Sequence, residues 1–452
     1  MKKYRTIISC ILLFLIILLV NLLLIPNNMD EIWNYGFSYA IRLGEIPYRD
    51  FNMVLPPFYS LFMTIPLLLW NNYLSFIIFH SLILSLSFYL LFKMYKDYGH
   101  LLLVIGIVLF SNIYPTYNSF IIALCVFIIY LEKSKYKYKD LLIGLLIACS
   151  ILTKHTVGIF FVIPTLIFLK KNKINLKSRL IGFIIPFIFI ILYLLITGSL
   201  GYAFDMCIMG MFDFSNNSHG LTISFVIFII LLLISIYIVY KNKKNISNYY
   251  IIFCYTLFIP LFDGLHLFYI MFLFMLLIGE NFSDRKVLNY KLLWLVAVFV
   301  ICMSIKDRFV EDIIYPNKLN HFEYRYYTKS SLDHYEEIYD YIKDRDYIYY
   351  DDEAYFFKII TNKKIDKLDL VNHGNHGYNG SSKIIKYLKN NSDKKILINN
   401  NTGDRINKKK TQLDKDGYEY IMNNYEKIDT ILNYDVYKYK EDYDWVCIQC
   451  YE

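Results

Sequence analysis

Over its first 305 residues the chain alternates long apolar runs with short clusters of Lys and Arg, whereas residues 306–452 are mixed in polarity throughout. The opening, MKKYRTIISCILLFLIILLVNLLLIP, carries an apolar run of about 19 residues behind a basic flank and no small-x-small cleavage site. It reads as an uncleaved first span, Thr6–Ile25, with the N-terminus cytoplasmic. Basic clusters mark the inside loops: Lys93 and Lys96; Lys133 to Lys139; Lys170 to Arg179; Lys241 to Lys244; Arg285 to Lys291. Between consecutive inside loops the chain crosses an even number of times, and this parity orders the elements. Tyr73–Phe92 descends, with Pro56–Trp70 lying at or dipping into the outer surface. Three hairpins follow or flank it: Leu101–Tyr114 with Ser119–Leu131, Leu141–Thr153 with Val157–Leu169, and Tyr250–Phe262 with Leu267–Ile278. Ile181–Ile196 rises to an outside loop, Gly198–Gly220, and Leu221–Tyr240 returns. Leu292–Ile305 makes the last crossing. The pattern predicts a mainly α, multi-pass membrane protein of about 11 crossings, residues 1–305, with residues 306–452 on the extracytoplasmic side.

Several of the hairpin arms are only about 13–14 residues, roughly 20 Å of helix against a hydrocarbon core of about 30 Å. Their tips, YPTYN, TKHT and FDGLH, therefore stop short of the outer surface. Polar backbone at that depth is tolerated where it is buried in protein or lines a wet cavity, so the tips predict a cavity opening outward.

Composition agrees, with 56% hydrophobic residues and a mean hydropathy of +0.38. Of the net charge of +8, residues 1–305 hold 23 Lys+Arg against 12 Asp+Glu and residues 306–452 hold 24 against 27. The positive surplus lies in the short loops, where it orients the chain, and a nucleic-acid surface is excluded as its explanation. Cys447 and Cys450 form one CxxC without a second pair or a nearby His, a weak pattern for metal or redox chemistry. The tail reads as a small α/β domain. Ser331–Asp344 (N-cap Ser331), Ser382–Asn390 and Asp416–Tyr425 are predicted helical; Tyr347–Tyr350 and Lys395–Ile398 are predicted strands. NHGNHGYNGSS (372–382) reads as a turn-rich connection, and Asp351, Asp352 and Glu353 as a solvated strand end.

The candidate chemistry gathers in the outer half. MDEIWNYGFSYAIRLGEIPYRDFNMVLPP (29–57) brings Asp30, Glu31, Glu45 and Asp50 beside a region otherwise almost free of acids. Lys154 and His155 sit at one tip, Asp263 and His266 at another, and Asp205, Asp213 and His219 between them. A Lys at that depth is expensive unless it meets an anion, and a lipid-linked phosphate is one; the plain alternative is a snorkelling Lys beside a helix-capping His. For Asp30 and Glu31 the plain alternative is loop acids at the end of a span. For Asp50 it is a turn residue tied to Arg49.

The first loop is more specific. D-E-x-W, then L-G-E-I-P-Y-R-D-F, then P-P-F-Y-S resembles the opening of the GT-C-fold membrane glycosyltransferases, in particular the protein O-mannosyltransferase-like branch (glycosyltransferase family 39). GLLIACSILTKHTVG is similar to a hairpin of that group and GLHLFY to a segment of its late helices, so the resemblance covers roughly residues 1–305. It implies a transferase taking one sugar from a polyprenyl-phosphate donor on the outer face of the membrane and passing it to an envelope glycan, lipid or protein. By motif, Asp30 would be the general base with Glu31 its neighbour; Tyr48, Arg49 and Asp50 would shape the pocket; and Lys154, with His155 or His266, would hold the phosphate. The chain departs from the pattern at Asn118, where many relatives carry an acid. No cofactor is implied, and a divalent metal stays open.

The residues suit such chemistry on their own terms. A sugar on a polyprenyl phosphate already has a good leaving group, so transfer needs cations for the departing phosphate and one base for the acceptor hydroxyl. A glycoside hydrolase would instead want paired carboxylates flanking the scissile bond. Two other functions are open. An envelope glycan polymerase or ligase shares donor and topology, and a lipid-linked sugar transporter or flippase would want charges or broken helices at the midplane and an inverted repeat.

Overall fold

A computed structural model describes residues 2–23, 29–110, 115–170, 174–215, 223–259, 264–282, 317–324, 329–371, 375–408 and 414–440. The first part is helical: α1 Lys2–Leu23, α2 Met29–Arg42, α3 Phe58–Leu69, α4 Tyr73–Phe110, α5 Tyr117–Lys133, α6 Lys139–Thr153, α7 His155–Phe168, α8 Leu176–Ile196, α9 Leu200–Phe212, α10 Ile223–Lys241, α11 Ile246–Phe258 and α12 Gly264–Phe282. The stretch around Asp30 and Glu31 is thus a helix, α2, rather than a loop, and Glu45 and Asp50 follow it in non-helical backbone. Tyr73–Tyr95, α8 and α10 are long and apolar enough to cross a membrane, and shorter apolar helices accompany them. The expected last crossing, Leu292–Ile305, and the division at residue 305 fall outside the described residues.

Helices stand where the hairpin arms were expected, the tips at 111–114 and 260–263 lying outside the described residues, and two reversals take very few residues. Helical bonding runs through all of α4, yet a methyl group built on Gly99 would lie 2.9 Å from the Phe92 Cα. Residues seven apart on a straight helix are about 10 Å apart, so the chain doubles back between them. Tyr73–Tyr95 and the segment after it are the two arms expected from the basic loop at Lys93 and Lys96. At the α6–α7 reversal only Lys154 is non-helical (φ −146°, ψ 94°), and a Cβ on Gly158 would strike the backbone of Ser150 and Ile151. α6 has 15 residues and α5 has 17, about 22 and 26 Å, so both stay shorter than a hydrocarbon core. α6 and α8 cross backbone to backbone, with Gly144 against the Arg179 carbonyl and Gly182 against the Leu141 carbonyl. Small residues permit this where there is no hydrophobic drive between helices. α8 and α10 lie at the edge of the bundle, their windows only 28% and 22% buried against 56% for Tyr73–Tyr95.

The tail forms a four-stranded mixed sheet, order β1-β2-β4-β3, from β1 Tyr347–Tyr350, β2 Lys395–Asn399, β3 Tyr425–Ile431 and β4 Tyr434–Tyr439. β1 and β2 are parallel, with Tyr347 opposite Lys395, and the other pairs are antiparallel. Helices Lys329–Ile342, Ala354–Thr361, Gly380–Asn390, Thr402–Lys408 and Lys415–Asn424 complete it. The two-residue period of a strand sorts the side chains by face. Tyr347, Tyr349 and Leu397 join the core that continues into the membrane helices. Ile348, Tyr350, Ile396 and Ile398 pack on the far side with Ile384, Leu388 and Ile421. One face of the tail sheet is therefore part of the same core as α2.

Two details of the tail differ from expectation. Ser331 lies inside its helix, which starts at Lys329, rather than capping it. Asp351–Glu353 is not solvated: Asp351 is buried with Oδ1 accepting from the Glu353 amide at 3.0 Å, and Asp352 pairs with Arg405 at 2.5 Å. The Arg405 guanidinium comes from the helix after β2, and it supplies the positive charge that lets an acidic strand end be covered. In the glycine-rich connection, residues 375–379 form turns as expected, and residues 372–374 lie outside the described residues.

Candidate active site

Three of the polar helix ends meet at one side chain. Thr116 caps α5 in a reciprocal box with Ser119, placing Asn118 in the first turn of the helix. Its Oδ1 accepts from Lys154 Nζ at 2.9 Å, and its Nδ2 lies 3.4 Å from His266 Nε2, near the start of α12. An ammonium can only donate, so the amide oxygen must face Lys154 and the amide nitrogen must face His266. The imidazole consequently accepts at Nε2 and carries its hydrogen at Nδ1. Lys154 also stands 5.3 Å above the Tyr117 ring. Asn118, Lys154 and His266 are all buried.

A collar of hydrogen bonds fixes this node. Thr116 Oγ1 and Tyr269 OH are 3.2 Å apart. Ser119 Oγ meets His80 Nε2 at 2.9 Å, and His80 Nδ1 meets Tyr59 OH at 3.1 Å. α2 joins the collar through Asn34, whose Oδ1 accepts from the Tyr117 amide at 3.3 Å. Asp30 is four residues before Asn34, one helical turn and the same helix face, about 6 Å along the axis. Asp30 and Glu31 thus occupy the first turn of the helix that abuts the node. Their side chains, like Asp213, His219 and Asp263, lie outside what the structure describes.

The other candidates have different surroundings. His155 Nε2 contacts Met211 Sδ, and its Nδ1 is buried with no hydrogen-bond partner among the described residues. Tyr48 holds a left-handed backbone, φ +70°, uncommon for a bulky residue. Its hydroxyl donates to the Leu55 carbonyl at 2.6 Å and receives Cys207 Sγ at 3.4 Å. Arg49 embraces Asp50 through Nε at 2.9 Å and Nη2 at 3.1 Å, and reaches the Thr197 carbonyl at 3.0 Å. That guanidinium holds the Asp50 carboxyl below the usual carboxylate range. Asp50 also receives the Ile46 amide at 2.9 Å, so it serves as the turn residue weighed above. The motif loop is thus pinned between α2 and α9. Of the candidates, the structure brings Lys154 and His266 together and adds Asn118 as the bridge.

The node's donor set is an ammonium, an amide and an imidazole. A divalent ion at Asn118 Oδ1 would sit beside the Lys154 ammonium, whose charge repels it. Among the described residues no group of three or more His, Cys, Asp or Glu could hold a metal ion. What the arrangement offers is a positioned positive charge beside an imidazole, at the meeting point of short helix arms.

No family model matches the chain, and no curated protein matches it. Among solved structures, the crystal structure of ArnT from Cupriavidus metallidurans bound to undecaprenyl phosphate matches with a TM-score of 0.58 and 10% sequence identity. The alignment covers 97% of this chain and 98% of that one. Likeness of that extent at that identity establishes the fold: this chain has the GT-C fold of ArnT, tail included.

Proposed function

We propose that the chain is a membrane glycosyltransferase that moves one sugar from a polyprenyl-phosphate donor to an envelope glycan, lipid or protein at the extracytoplasmic face. The observation that carries the reading is the buried Lys154–Asn118–His266 node, set in the fold of a protein solved with undecaprenyl phosphate. In this reading the acceptor hydroxyl attacks the anomeric carbon. The bond from that carbon to the phosphate oxygen breaks, and the electron pair leaves on the phosphate. The hydroxyl proton passes to Asp30, with Glu31 beside it. Lys154 meets the charge that grows on the phosphate, the point where fixed cations contribute most to rate. His266, sharing Asn118 with Lys154, is a better second phosphate ligand than His155, whose ring nitrogen Nε2 is turned to Met211. Tyr48, Arg49 and Asp50 shape the wall by holding their loop.

The test uses the purified chain in proteoliposomes with an undecaprenyl-phosphate sugar. Asp30→Asn abolishes transfer while leaving the protein folded; unchanged turnover removes Asp30 from the mechanism. Lys154→Ala raises the KM for the donor more than that for the acceptor, and the opposite split contradicts the phosphate role. A product one sugar longer fits this reading, and a ladder of products would assign the chain to the polymerases instead.

A further inference from the structure

The tail reaches directly onto the helix that carries the proposed base. Its buried helix Ala354–Thr361 lies on α2: the Tyr355 ring packs 5.7 Å from Trp33 and 5.3 Å from Phe37, and a Cβ on Gly36 would lie 2.9 Å from it. Tyr39 OH donates to Asn362 Oδ1 at 2.7 Å. Just past the end of α2, Lys358 Nζ donates to both oxygens of Glu45, at 2.8 and 2.7 Å, with Lys358 0% and Glu45 8% exposed. Farther along the same loop Asn52 is held three times, by the Asp366 carbonyl, the Asn375 carbonyl and the Leu368 amide.

The aromatic packing alone would dock the tail, and apolar residues in place of a buried ion pair are often neutral or stabilising. Burial in fact outweighs the pairing at both ends, raising the Glu45 carboxyl and lowering the Lys358 ammonium from their ordinary values. What a two-pronged ion pair adds to these contacts is direction: it ties the chain just past the end of α2 to one point on the tail. A slip of one residue would turn α2 by about 100° and move it by about 1.5 Å. Such a slip would turn the helix face that carries position 30 and Asn34 away from the node.

We propose that Lys358 is a positioning residue for sugar transfer: through Glu45 it locks the register of α2, and so the place of Asp30 relative to the Lys154 node. The tail is in this respect part of the catalytic unit. The inference rests on the transfer reading above, and its test separates the two.

The full-length protein in proteoliposomes is compared with Lys358→Met/Glu45→Met, which leaves no orphaned buried charge, and with Lys358→Arg. A spin label on Leu43→Cys, a position 37% exposed at the end of α2, reports its motion. The double variant is expected to keep its melting temperature within a few degrees, to lose kcat by about tenfold or more with donor KM changed under about threefold, and to loosen the label. Lys358→Arg, which keeps the charge, is expected to recover much of the rate. Wild-type kcat in the folded double variant, or a label as immobile as in the parent, overturns the proposal. A loosened label in a protein whose parent transfers no sugar from any polyprenyl-phosphate donor supports the lock and overturns the transfer reading.

Discussion

The same helices carry a polar cluster at each end, and the two are built differently. Where α5 ends and α6 and α8 begin, Arg179 pairs with Glu132 at 3.0 Å and with Asp140 at 2.5 Å, and donates to Thr165 at 2.9 Å. Nearby, Lys133 pairs with Glu280 at 2.6 Å, and Glu280 also receives Tyr95 and Asn245. At the opposite ends of α5, α6 and α12, the contacts of Lys154 include an amide oxygen and an aromatic face. The first cluster sets charge against charge. The second sets an ammonium beside an amide oxygen and an aromatic face. The first looks after the fold, and the second is the site proposed for the phosphate.

The largest effects should separate the two ends. Arg179→Met leaves two buried carboxylates uncompensated, so it should cost about 3–5 kcal/mol and leave little monodisperse protein on size exclusion. Lys154→Met removes the ammonium proposed to meet the phosphate, and the protein should stay folded while transfer falls by about 10²–10³-fold. If Lys154→Met unfolds the protein as Arg179→Met does, the contrast between the ends is wrong. Asn118→Asp should come next: it sets a carboxylate beside the proposed phosphate position and against the Lys154 ammonium. Donor KM should rise by about tenfold or more with a smaller change for the acceptor, as measured by initial rates at varied donor.

Much of this was legible in the sequence where one segment determines its own fate. The hairpins followed from apolar runs between basic loops, and the short arms predicted polar tips below the surface. Contacts between distant segments were not legible. Asn118 stood out only as a departure from a motif; its partners lie 36 and 148 residues away. The Thr116-x-x-Ser119 cap that aims it was a local signal that could have been read. Helix Ala354–Thr361 was missed because a Lys in a buried octapeptide makes sense only once Glu45 arrives from 313 residues away. Strands β3 and β4 were missed although YEKIDTI and YDVYKY alternate, because their outward positions carry Lys, Glu and Asp and look solvated throughout.

A smaller effect probes the part of the tail that meets the motif loop, away from both clusters. His376 is buried with its Nε2 donating to the Asp369 carbonyl at 2.6 Å, and burial, with Lys367 nearby, lowers its pKa to about 3. The folded form stays neutral where the unfolded chain takes up a proton. Stability is therefore full above pH of about 6.5 and is lost as pH falls toward about 3, at up to about 1.4 kcal/mol per unit. Between pH 7.5 and 5 the wild type should lose about 2 kcal/mol more than His376→Gln, read from melting curves of the two at each pH. Equal losses would mean that His376 is solvated in the folded protein.

Binding of a lipid-linked sugar's phosphate at the node can be seen in a structure of the full chain with undecaprenyl phosphate. Phosphate density is expected within about 3 Å of Lys154 Nζ, on the side facing the first turn of α2. A lipid phosphate seated elsewhere, with Lys154 still enclosed by Asn118 and Tyr117 and no passage to Asp30, would contradict it.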